Sequence, residues 1–319
     1  MNVRVKECAT APAVAGDDDP CRQSTTSEPQ LGMSNDLRAV IFDIGGVVMR
    51  SPFIAIAAYE RKLGLPPNYL NCSIVERGSN GAWQRFERGE IPLLPFYDEF
   101  SRDLSDTVKG NVWYAAYCER RGTTCPPLPK QLNVDGRELF GSMMREAAVF
   151  DPHILRAIRR IRGSYASASR RVASVPLLNP TQIVAGKHKI IALTNNFSRT
   201  SSEHPIPQAE LEYLGWDEGA VSSSLRGLFD DFCDSSELGA RKPEPHFYKM
   251  ALERNGLEAH QVVFLDDIGI NLKAAKQLGM VTIHVAIGET LAAAKALEGK
   301  LGIDLTSNPT EGESTMAKL

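Results

Sequence analysis

Short apolar runs alternate along this chain with longer segments in which apolar positions recur every three or four residues. Ala39-Val40-Ile41-Phe42, Ile190-Ile191-Ala192-Leu193 and Val262-Val263-Phe264-Leu265 are apolar at every position, and Val281 to Val285 forms a further short run. Runs of this length suit strands of a parallel sheet, which are buried on both faces. Helical spacing covers Ile54 to Leu63, Gly81 to Arg88, Pro95 to Leu104 and Gly136 to Ala147, a stretch with no strand signal between the first run and Asp151. Asp151-Pro152 then opens a helix, since Asp is a favoured N-cap and Pro a favoured first residue. Leu155, Ile158 and Ile161 form its apolar stripe, and Arg156, Arg159 and Arg160 are expected to form a solvated face. Glu244 to Asn255, closed by Gly256, Asn271 to Leu278, closed by Gly279, and Glu289 to Leu301 complete the helical segments. The alternation predicts an α/β fold with right-handed crossovers and an inserted helical segment.

The ends of the strands carry the chemistry. Asp43 stops the first run and is followed by Ile44-Gly45-Gly46, Thr194-Asn195-Asn196 follows the second, and Asp266-Asp267 ends the third. Lys242-Pro243 follows Gly239-Ala240-Arg241 in a loop. In open α/β sheets ligands bind at the carboxyl ends of the strands, so these segments would meet at one edge. Singly, each has an ordinary explanation. Asp before a Gly pair or Thr-Asn-Asn can be a turn, and a lysine before proline can be a surface residue. The adjacent carboxylates are harder to explain without a cation, because they would repel at the end of a buried strand.

The order Asp, Thr, Lys, Asp-Asp resembles the four motifs of the haloacid dehalogenase (HAD) superfamily of aspartate-nucleophile hydrolases, over Asp36 to Leu305. FDIGGVV, LTNN, GARKPEPHFY and FLDDIGINLKAAKQLGM look like the branch that holds the N-terminal phosphatase domain of soluble epoxide hydrolase and the hydrolase-like domain of some acyl-CoA dehydrogenases. The resemblance implies a Rossmann-like HAD core of residues 36–51 and 150–305, with a helical cap domain of residues 52–149. It implies Asp43 as nucleophile, Lys242 as its electrostatic partner, and Thr194 with the Asn195 amide as phosphoryl-binding groups. Mg²⁺, a hard ion that takes oxygen ligands, would be held by Asp43, the Gly45 carbonyl and Asp267, with Asp266 orienting its neighbours. Trp83, Arg85, Phe86 and Arg88 are candidate pocket residues from the cap, although aromatic residues at helical spacing more often belong to the core. One departure bears on activity. Phosphatases of this kind usually carry a second Asp two residues after the nucleophile as general acid, and here that residue is Gly45. The expectation is a Mg²⁺-dependent phosphatase for a small phosphorylated substrate. The alternatives are a carbon–halogen hydrolase and a weakly catalytic phosphate- and Mg²⁺-binding regulatory protein.

Composition narrows the partners. The 319 residues carry a formal net charge of −3, so no nucleic-acid partner is implied, and no apolar stretch is long enough for a membrane span. Six cysteines lie without any C-x-x-C pair, which argues against a zinc site and for a reducing compartment. Residues 1–35, polar and containing Asp17-Asp18-Asp19, are expected to be disordered, with Met33 as a candidate start. Residues 163–186, rich in Ser, Ala, Arg and Gly, lose the apolar period and are expected to be a surface excursion or, the preferred reading, retained intron sequence. After a polar tail over 306–319, Ala317-Lys318-Leu319 resembles a peroxisomal address read by an import receptor, with the cytoplasm as the alternative location.

Overall fold

A computed structural model describes residues 36–172, 188–197, 205–216 and 218–308. Five parallel strands form its sheet: β1 (Ala39–Phe42), β2 (Lys189–Thr194), β3 (Asp231–Asp234), β4 (Val262–Asp266) and β5 (Val281–His284), in the order β3-β2-β1-β4-β5. Alternate residues of a strand face opposite sides. Val40, Phe42, Ile190, Ala192, Val263 and Leu265 share one core with helices α7 (Pro152–Val172) and α13 (Thr290–Leu301). Ala39, Ile41, Ile191, Leu193, Val262 and Phe264 share the other with α11 (Pro245–Asn255) and α12 (Gly269–Gln277). The result is helix, sheet and helix in three layers, as the apolar runs require.

Between β1 and α7 lie α1 (Phe53–Lys62), α2 (Tyr69–Glu76), α3 (Ala82–Glu87), α4 (Leu93–Ser105), α5 (Thr107–Arg120) and α6 (Gly136–Glu146), with an apolar core of their own. That core also takes in Phe197, Leu214 and Trp216 from the segment after β2. The cause is α8 (Gln208–Leu214), whose buried Glu210 accepts a hydrogen bond from the Tyr97 hydroxyl (2.8 Å) and is paired with Arg137 (2.8 Å). Short helices α9 (Ser223–Arg226) and α10 (Ser235–Leu238) flank β3.

Two expectations about α7 are corrected. The helix continues past Gly163 to Val172, which the high helix propensity of its Ala and Arg residues supports. The remainder of 163–186 lies outside the described residues, as do the N-terminal segment and Ala317-Lys318-Leu319. Arg160 does not belong to a solvated face: its side chain is 11% exposed and pairs with Asp304 at 3.1 Å. Asp151 caps the helix as its sequence predicts, accepting hydrogen bonds from the amides of His153 and Ile154 (2.9 Å each). No helix among the described residues is long and apolar enough to cross a membrane.

Candidate active site

Strand register assembles the acidic cluster. Phe42 on β1 stands opposite Leu265 on β4, so the next residues, Asp43 and Asp266, leave adjacent strands at the same level. The Asp43 amide extends this ladder by donating to the Leu265 carbonyl at 2.9 Å. Carboxylate oxygens of Asp43, Asp266 and Asp267 all lie within 4.8 Å of one another. Lys242, 1% exposed, reaches between two of them, with Nζ 2.7 Å from Asp43 Oδ1 and 2.8 Å from Asp266 Oδ2. Thr194 ends β2 beside them and lines the same cavity as Asp43, Gly45, Asn195, Lys242 and Asp267.

The two members of the acidic pair differ in their surroundings. Asp266 is fully buried and saturated: besides Lys242, it accepts from the Ile268 amide (2.7 Å) and from Asn271 Nδ2 (3.1 Å to each oxygen). Asp267 takes one side-chain donor, Ser51 Oγ at 3.2 Å, and its carboxylate lines the cavity. Asp267 therefore has capacity left to bind a cation, while Asp266 is fixed as a holder of Lys242 and the following helix. Asn195 fixes the other side of the lysine. Its side chain donates to the Lys242 carbonyl (3.0 Å) and accepts from the Lys242 amide (2.8 Å).

Charge and burial make the site suited to a divalent cation. Three carboxylates face one ammonium, which when all are ionised leaves an excess of two negative charges that such an ion would cancel. Burial, followed by the neighbouring carboxylate of Asp266, pushes Asp267 up to about 7. Asp43 is also raised, by burial first and with Asp266 and Asp267 adding to it against the opposing effect of Lys242. Burial works against the charge on Lys242, but Asp266 and Asp43 outweigh it, and its pKa is raised. Gly46 makes room for this cluster: its φ is +84°, and a Cβ there would stand 2.0 Å from Asp267 Oδ2. Gly45 is outside the left-handed region, and its nearest neighbour to an added Cβ would be Pro52 Cδ at 3.4 Å.

The candidate pocket residues are only partly brought together. Trp83 lines the cavity, but Arg85, Phe86 and Arg88 do not, and Gln84 and Glu87 stand in their place. Phe86 is buried in the helical core, stacked on Phe96 and Phe197 with ring centroids 4.1 and 4.8 Å apart. Arg85 pairs with Glu99 at 2.5 Å, and Arg88 with Glu90 at 2.5 Å. Sequence reasoning also missed Ser51, Asn271 and Glu87. A signal existed for Asn271, which lies in the first turn of the helix directly after the acidic pair.

The cavity has a volume of about 1060 Å³, with Asp43 and Lys242 in its wall and Phe53, Ile56, Met143 and Trp216 among its apolar lining. Residues 182–279, which include Thr194, Lys242 and the Asp266-Asp267 pair, match the family model of haloacid dehalogenase-like hydrolases. The chain belongs to this family. Among relatives of this HAD-like hydrolase, acyl-CoA dehydrogenase family member 10 of Mus musculus is 30% identical over 268 residues, 84% of this chain and 19% of that protein. Bifunctional epoxide hydrolase 2 of Mus musculus is 40% identical over 285 residues, 86% of this chain and 40% of that protein. The HAD-like chain thus spans about a fifth and two fifths of the lengths of these two relatives. Glyceraldehyde 3-phosphate phosphatase of Methanocaldococcus jannaschii is 24% identical over 205 residues, 59% of this chain and 84% of that protein.

Proposed function

We propose that this HAD-like hydrolase is a Mg²⁺-dependent phosphatase that acts on a small phosphomonoester through an aspartyl-phosphate on Asp43. The observation that carries this reading is the contact of a buried lysine with Asp43 in a cavity wall that also holds a cation-competent acidic cluster. Asp43 would attack phosphorus as the P–O bond to the leaving alcohol breaks. Lys242 would stabilise the charge developing on the phosphoryl oxygens, and Thr194 Oγ with the Asn195 amide would bind those oxygens. Asp43, Asp267 and the Gly45 carbonyl would hold Mg²⁺, which supplies the positive charge that lets an anionic nucleophile approach an anionic ester. The glyceraldehyde 3-phosphate phosphatase among the relatives supports a phosphate ester as substrate. The excess negative charge of the cluster speaks against the carbon–halogen alternative, whose chemistry needs no cation.

Turnover of sugar, acyl, aryl and lipid phosphates with and without Mg²⁺ tests the reading. Hydrolysis of a 2-haloacid with no phosphate released from any ester would overturn it. Cation binding has a second readout. Asp43 and Asp267 are raised in the metal-free fold, which therefore holds protons that the unfolded chain releases. It loses stability as pH rises from the ordinary carboxylate value of 3.8 towards about 7. Saturating Mg²⁺ should raise the melting temperature, by an amount corresponding to about 2.7 kcal/mol at a hundredfold excess over Kd. The rise should be larger at about pH 8 than at about pH 5.5, because protons compete for the same oxygens. A Mg²⁺ shift independent of pH would remove Asp43 and Asp267 as ligands.

The missing second Asp bears on the leaving group. An alkoxide leaves poorly without a proton donor, so aryl, acyl and anomeric phosphates should be the better substrates. A Cβ added by Gly45→Asp would meet only the Pro52 ring, with Cδ at 3.4 Å and Cγ at 3.9 Å. The substitution should raise kcat/KM for an alkyl phosphate by up to about 10²-fold and for an aryl phosphate by much less. Equal turnover of both esters by the unmodified enzyme would show that another group already supplies the proton.

A further inference from the structure

We propose that Glu87, on α3 of the helical region, is a positioning residue that sets the loops carrying Lys242 and Thr194-Asn195, so that these groups take their working places only while α3 is docked. The inference rests on the phosphatase reading, and it concerns how that site is assembled. Glu87 is 4% exposed, and a buried carboxylate needs a partner of opposite charge. That partner is Arg241, whose Nε lies 2.5 Å from Glu87 Oε2 and which directly precedes Lys242. The backbone carbonyl of Glu87 makes a second tie, accepting a hydrogen bond from Ser235 Oγ. Ser235 Oγ in turn accepts from the Asn196 amide at 2.9 Å. Arg88 adds a third tie, 3.8 Å from Glu244 in the turn after Lys242.

These ties converge on the lysine from two directions. Through Arg241, α3 holds the residue before Lys242. Through Ser235 and Asn196, it holds the turn whose Asn195 side chain brackets the Lys242 amide and carbonyl. Phe197 anchors the same turn by stacking on Phe86 of α3 at 4.8 Å. Asp43 and Asp267, by contrast, are placed by β1 and β4 with no bond to α3. Removing the Glu87 tie should therefore displace Lys242 and the phosphoryl-binding turn and leave the cation ligands where they are.

Two variants test this: Glu87→Gln, and Glu87→Gln combined with Arg241→Met. The single change leaves Arg241 uncompensated and can fail to fold. The double change removes both buried charges, which is often neutral for stability, and keeps the test open. With p-nitrophenyl phosphate, kcat should fall roughly 10- to 100-fold, the loss expected from misplacing a reacting group by about 1 Å. Affinity for inorganic phosphate in the presence of Mg²⁺ should fall as well, while Mg²⁺ binding, read by thermal shift, is retained. Parent-like kcat and phosphate affinity in the double variant would overturn the proposal. So would a parallel loss of Mg²⁺ and phosphate binding with a collapsed melting temperature, which would mark the pair as general scaffolding. If the parent neither binds phosphate with Mg²⁺ nor hydrolyses the ester, the phosphatase reading itself fails, and this inference falls with it.

Discussion

Asp43→Asn should abolish phosphate-ester hydrolysis, with kcat reduced on the order of 10⁴-fold or more, and should leave the fold intact. An amide keeps the shape of the carboxylate. Its oxygen can still accept from the Ile44 amide and from Lys242 Nζ, both 2.7 Å from Asp43 Oδ1. It cannot attack phosphorus, since the nucleophilic charge is gone. Stability should move the other way. The ionised Asp43 carboxylate is disfavoured by burial and by Asp266 and Asp267, so the neutral side chain relieves the metal-free protein, most at neutral and higher pH. The variant should melt at least as high as the parent without Mg²⁺ and gain less from adding it. Initial rates with an aryl phosphate, paired with melting curves, measure both effects, and unchanged turnover would remove Asp43 as the nucleophile.

Lys242→Met should damage activity and stability together. The ammonium is the ion-pair partner of two buried carboxylates, at 2.7 and 2.8 Å. Taking away one side of a buried ion pair costs about 3–5 kcal/mol when the remaining charge stays ionised. Protonation of the carboxylates provides relief, so the loss in denaturation midpoint should shrink at low pH, and Mg²⁺ should recover part of it. Catalysis should fall by about 10²- to 10³-fold, the range for losing a donor aimed at developing charge. A variant that melts like the parent across the pH range would show that Lys242 does not neutralise the cluster.

How much of this could be read in the sequence depended on whether a feature was local. The strand ends were legible, because a fully apolar run that stops at a polar residue reports both the strand and what it delivers. Val262 to Leu265 followed by Asp266-Asp267 is an example. Strand β3 was missed because Asp231-Phe232-Cys233-Asp234 is half acidic, and its burial comes from pairing with β2. Helix α5 was missed for a related reason. Gly110 weakens its propensity, and its buried positions, Gly110, Tyr114 and Cys118, form a narrow seam. In α3 the helix was found, and its aromatic residues were weighed as either pocket or core. Stacking on Phe96 and Phe197 turns Phe86 into the core, while Trp83, Gln84 and Glu87 are left at the cavity. The Glu87–Arg241 pair joins residues 154 positions apart, and nothing in either local segment announces it.

Gly45 and Gly46 are neighbours with opposite evolutionary latitude. At Gly46 the volume a side chain would need is already filled by the carboxylate of Asp267, so inheritance of the acidic cluster ties that codon to glycine. At Gly45 the backbone is ordinary and the space is open to a small side chain. A lineage can therefore gain or lose a second carboxylate at this point without crowding Asp43, Lys242 or Asp267. Among the positions around the acidic cluster, this one is the freest to drift.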